Sequence, residues 1–171
     1  MSELQNYFYS SVRELGYIKS EEAWWVAQII TNENDYFGTS GISLAIRTKH
    51  TLMSKEQLNK AGLRGNVKYS SKLYDALTEK GKKNPLEAIS KPIMNALFSM
   101  SREQRLNLAI KNGEVIIVTA GNCCPKTIEK FGKRKVFELK QLPAFPTETC
   151  DQETCNCSFR NMDIFLANRL K

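Results

Sequence analysis

The sequence predicts an α+β fold that is mainly α: a helical body followed by a small two-stranded β element and a cysteine-rich tail. Three observations lead there. Over residues 1–112, apolar side chains recur at three- and four-residue steps between recognisable helix caps. After Gly113 the character changes to a continuous β-branched run, "EVIIVTA", and then an alternating one, "RKVFELKQ". All five cysteines fall within residues 123–157. A chain of 171 residues, 42% of them apolar, can bury a core of its own, so the body (1–112) and the small αβ part (113–171) are expected to form one domain overall.

The elements follow in order. Ser2 caps a helix whose apolar positions Leu4, Phe8, Val12 and Leu15 share a face, and Gly16 ends it. Ser20 is expected to cap "EEAWWVAQII", with two acids in the first turn as the helix dipole favours. "NENDYFGTSG" reads as a loop; "ISLAIRTKHTLM" fits helix or strand, and helix is favoured because Thr39 or Ser40 can cap it and Ile42, Ala45 and Ile46 share a helical face. Ser54 and Gln57 make a capping box for "KEQLNKAG". Ser70 or Ser71 opens "KLYDALTEKG", with Gly81 as its stop. Asn84-Pro85 starts another helix, and Pro92 is expected to interrupt it. Ser101 with Gln104 reads as a second capping box, opening a separate helix, "REQRLNLAIKNG". Beyond the first strand, "PKTIEKFGK" fits a short helical turn ending at Gly132, and "FRNMDIFLANRLK" returns to helical spacing.

No run is apolar enough to span a membrane, and "MSELQNYFYSSVREL" has neither a basic lead nor a continuous apolar stretch. The expected location is therefore the cytoplasm, where thiols stay reduced, with no membrane partner. Phosphate-loop and dinucleotide fingerprints are absent: "GTSG" and "AGLRG" lack their spacing. The net charge is +7, and its placement matters more than its size. Residues 44–83 hold ten Lys or Arg and three acids, so this segment alone carries +7 and the rest of the chain is balanced. Such a segment attracts phosphates or acidic surfaces, or else serves as a solvated, lysine-rich face. Within it, Arg47, Lys49, Arg64, Lys68, Tyr69 and Lys72 are the candidate nucleic-acid contacts, because interleaved cations and aromatics suit phosphate contact plus base stacking. His50 is the single histidine, so acid–base catalysis by imidazole has to use it, and its cationic neighbours lower its pKa.

Cys150, Cys155 and Cys157 form C-x4-C-x-C, and Cys123 and Cys124 sit just past the first strand. Structural zinc takes four thiolate or imidazole ligands. The tail supplies three, and Cys123 or Cys124 the fourth. An ion would also fix a tail that contains two prolines and no periodicity. Small buried thiols without a ligand, and disulfide or redox use of the cysteines, are the other readings.

The window resembles a C-terminal cassette of uncharacterised bacterial and phage-associated proteins, including some similar to phage Mu-type head-morphogenesis proteins. That pattern runs Cys-Pro-x-Cys, a Gly-Lys turn, Leu-Pro-x-x-Pro, a Cys, and a Cys-x-Cys followed by an aromatic. Cys124-Pro125, Gly132-Lys133, Leu142-Pro143, Pro146, Cys150, Cys155, Cys157 and Phe159 match it, over about a fifth of the chain. Thr127 stands where the pattern has its second cysteine, and Cys123 is additional. The resemblance implies a bacterial or phage origin and a structural cassette, and no activity. The leading expectation is thus a non-enzymatic, basic binding protein of bacterial or phage type, with nucleic acid or an acidic protein as its partner. A small nuclease or toxin-like hydrolase using His50 with nearby Arg and Lys, and a phage structural or assembly protein, are the alternatives.

Overall fold

A computed structural model describes residues 1–30, 38–113, 115–119, 124–131, 134–143, 150, 152–155 and 157–162. It shows an α+β chain, mainly α, with a small C-terminal β element. Two compact units form, Met1–Leu97 and Phe98–Lys171. The sequence divides the chain by element type, at the end of a long helix; compactness divides it within that helix.

In the first unit, α1 (Glu3–Leu15) opens on a complete capping box between Ser2 and Gln5 and stops at Gly16, which adopts a left-handed backbone with φ 64°. Ser20 does not cap the next helix. It begins a 3-10 turn, Ser20–Glu22, that runs into α2 (Ala23–Gln28). α3 spans Gly38–Thr48, and α4 (Lys55–Lys60) carries the second capping box, Ser54 with Gln57. α5 (Ser71–Asp75) is short, and Gly81 does not end it; Gly81 lies inside the next helix, α6 (Glu79–Lys83), which is capped by Thr78.

Long-range backbone bonds tie these short pieces together. Ile18 pairs with Leu77, and Leu52 with Ser70, as isolated antiparallel bridges. Thr78 Oγ1 donates to the Gly16 carbonyl at 2.8 Å, and Lys80 Nζ to the Leu15 carbonyl at 2.7 Å. The carbonyls left open at the end of α1 are thereby satisfied, with a cation at the negative end of the helix dipole. The core of the unit includes Phe8, Val12, Ile42, Ile46, Tyr69, Leu73, Leu77, Ile89 and Ile93.

α7 (Glu87–Asn112) is one continuous helix. The interruption expected at Pro92 and the start expected at Ser101 are both absent. Pro92 lies near the beginning of the helix, where the lost N–H removes one bond from a long ladder. Ser101 needs an extended backbone to act as a cap, and nothing before it ends the helix.

In the second unit, β1 (Val115–Thr119) lies between β2 (Arg134–Phe137) and β3 (Ser158–Met162), both antiparallel to it. The expected two strands are present, and among the described residues the sheet has a third. Ser158–Met162 is strand rather than helix, because pairing Ile116 with Asn161 and Val118 with Phe159 outweighs the local periodicity. Residues 163–171 of that expected helix lie outside the described residues. α8 (Pro125–Phe131) fulfils the helical turn between β1 and β2. Phe137 and Ala109 form a small core with Leu106, Phe131, Leu139 and Leu142, and the Phe131 and Phe137 rings meet edge to face at 5.6 Å.

Candidate functional site

In the first unit, the Leu52–Ser70 bridge lays residues 51–53 beside 69–71. The Met53 N–H donates to the Tyr69 carbonyl at 2.9 Å, and the Ser71 N–H to the Thr51 carbonyl at 3.1 Å. This brings His50 to Lys72. The imidazole stands edge to face with Trp25 at 5.1 Å, and the Lys72 ammonium lies 4.6 Å from the centre of the Trp25 ring. The Trp25 indole N–H donates to the Glu22 carboxylate, which fixes the ring. Lys49 is exposed beside this group. Burial, then Lys72 and Lys49, pull the His50 pKa below its ordinary value of 6.5, which favours the neutral ring at pH 7.

The sign of the linkage follows. The unfolded chain binds this proton more tightly, so His50 contributes stability above its unfolded pKa, and that contribution is lost as pH falls through the folded value. An NMR titration should place the His50 midpoint below 6.5, and Lys72→Ala should move it up.

The candidate nucleic-acid residues separate. Lys49, Arg64, Lys68 and Lys72 are exposed. Arg47 is half-buried and structural: its guanidinium donates to the Ser43 carbonyl at 3.3 Å and the Lys68 carbonyl at 3.2 Å, while burial lowers its pKa. Tyr69 is a correction. It is fully buried, and its hydroxyl donates to the Pro85 carbonyl at 3.1 Å. No base can stack on it. Burial, opposed by Arg47, pushes its phenol well above the ordinary range. Arg64 instead joins Lys83 in lining an open cavity of about 510 Å³, with Asn66, Asn84, Leu63 and Pro85. Trp25 is the residue that sequence reasoning missed. Its neighbours lie 25 and 47 positions along the chain, and no local spacing announces them.

In the second unit, four thiols are described, and none is disulfide-bonded. Cys124, Cys155 and Cys157 are buried and Cys150 is partly so. Cys123 lies outside the described residues. Cys150 interacts with both Cys124 and Cys155, and Cys155 with Cys157, so the described thiols lie near one another. Burial pushes the Cys150 thiol up to about 11, with Cys124 and Cys155 adding to the effect; it raises Cys155 as well, against the pull of Arg102. As it stands, no group of three or more His, Cys, Asp or Glu side chains among the described residues is arranged to hold a metal ion. Thr127, at the position of the cassette's second cysteine, is fully buried, with its hydroxyl 2.9 Å from the Cys124 sulfur.

No family model, curated protein or solved structure matches the chain. Among the described residues, no helix is long and apolar enough to cross a membrane.

Proposed function

We propose that the first unit binds single-stranded nucleic acid, with Lys49 and Lys72 flanking the Trp25–His50 pair and with Arg64 and Lys68 as further phosphate contacts. One observation carries this reading. Lys49, Lys55, Arg64, Lys68, Lys72 and Lys83 are all exposed, and none has a carboxylate partner among the described residues. The acids Glu56 and Glu79 of the same segment are already matched by Lys60 at 3.1 Å and Lys82 at 2.9 Å. A surface lysine kept only for solubility gains little from lacking an acid, whereas free cations release counterions when they meet phosphates. The neutral imidazole beside the indole supplies the flat face that base stacking uses.

The test is fluorescence anisotropy with a labelled oligonucleotide across a salt series. Binding should weaken as salt rises. Replacing Arg64, Lys68 and Lys72 together with Ala should flatten the slope by about 0.7 per lost contact, roughly two units in all. Stability should fall by no more than about 1 kcal/mol, because all three side chains are exposed and the contact of Lys72 with the Trp25 ring is the one favourable interaction described for them that is lost. An unchanged slope, or no binding at low salt, sinks this reading in favour of an acidic protein partner. Strand cleavage that disappears in His50→Ala while affinity persists would instead identify a nuclease.

A further inference from the structure

We propose that Cys124, Cys150, Cys155 and Cys157 form a four-thiolate site for a thiophilic divalent cation, zinc in the first place, with Arg102 as its buried counter-charge. The site is independent of the basic surface of the first unit.

The charge of Arg102 carries the argument. Its side chain is buried, with 6% exposure. Among the described residues its bonds go only to neutral oxygens: the Cys155 carbonyl at 3.0 Å, the Cys157 carbonyl at 3.3 Å and the Ser99 hydroxyl at 3.0 Å. A guanidinium does not shed its proton, and among the described residues no carboxylate answers this one, so an anion close by would offset a costly burial. Four protonated thiols supply no anion. Four thiolates around a divalent ion carry a net charge of two minus, next to the backbone that Arg102 holds.

Two further features agree. The hydroxyl of Thr154, adjacent to Cys155, is buried without a hydrogen-bond partner among the described residues. A thiolate sulfur accepts such a hydrogen bond far better than a neutral thiol does. Zinc–sulfur bonds of about 2.3 Å place neighbouring sulfurs about 3.8 Å apart in a tetrahedron, which is also the reach of a thiol–thiol hydrogen bond. Cys150 interacts with Cys124 and Cys155, and Cys155 with Cys157, so the four residues lie near one another, and zinc would have to draw them onto one centre that they do not form in its absence. Binding converts four S–H groups to thiolates and releases four protons to solvent, so affinity falls with falling pH.

The full chain, reduced, incubated with zinc and cleared of excess by gel filtration, should carry about one zinc per chain by native mass spectrometry. Cobalt(II) in its place should show thiolate charge-transfer and tetrahedral ligand-field bands. Cys123→Ser should keep the metal, and Cys155→Ser and Cys157→Ser should lose it. Arg102→Gln should weaken zinc roughly 10- to 100-fold in chelator competition, and Arg102→Lys should recover part of the loss. If the cysteine variants fail to fold, wild-type stoichiometry decides. A folded wild type without zinc, retention of zinc by both Cys155→Ser and Cys157→Ser, or disulfides in the purified reduced chain would each overturn the proposal.

Discussion

Tyr69→Ala is expected to lower the stability of the chain by about 3–5 kcal/mol, the cost of removing a large aromatic from a closed core. The ring has no exposed surface, meets Tyr74 edge to face at 6.5 Å, and sits where the Ser70 N–H is bonded to the Arg47 carbonyl at 2.8 Å. Tyr69→Phe separates the ring from its hydroxyl. It should cost about 1–2 kcal/mol, because the bond to the Pro85 carbonyl is lost and nothing else changes. Urea midpoints with unchanged slopes check both values. If Tyr69→Ala lost nucleic-acid affinity and kept its midpoint, the residue would be a surface contact after all.

Gly81→Ala is the second large loss. By propensity alone, alanine in a helix should gain roughly 0.8–1.0 kcal/mol over glycine. A methyl group at Gly81 would run into the Tyr17 carbonyl oxygen, and it would stand 3.1 Å from the Tyr17 carbonyl carbon and 3.2 Å from the Leu77 Cβ. Backbone cannot swing aside as a lysine tip can, and this stretch is pinned by the Thr78 N–H to the Tyr17 carbonyl at 3.0 Å. Overpacking of about 1–3 kcal/mol or more should therefore outweigh the propensity gain. Thermal denaturation that showed a stabilised Gly81→Ala would mean that α6 does not lie this close to the end of α1.

Both residues show where local patterns stop being informative. Ser2 with Gln5 and Ser54 with Gln57 are legible in the sequence because a capping box is decided by four neighbouring residues. Ser101 with Gln104 has the same spelling and does not cap, since capping also requires the chain to arrive non-helical, and α7 arrives helical. The strand Val115–Thr119 is legible from its β-branched run, whereas Ser158–Met162 is not, because its state is set by a partner about forty residues away. The basic segment is visible as composition, but separating Lys72 and Arg64 from the buried Tyr69 and half-buried Arg47 depends on the Leu52–Ser70 bridge. The cysteine window is visible as spacing. Which thiols touch, and that Arg102 holds the backbone around them, is a matter of tertiary folding.

That tether bears on aggregation. Arg102 grips the carbonyls of Cys155 and Cys157, and Ser158, the next residue, begins β3. β3 covers one side of β1, whose sequence "VIIVT" is β-branched, uncharged and free of proline. With β3 undocked, β1 would present a bare row of N–H and C=O groups along a run well suited to pairing with another copy of itself. The buried arginine thus acts as a latch on edge protection. Loosening it should first appear as concentration-dependent turbidity and thioflavin binding, under conditions where helical circular dichroism from the first unit is still intact.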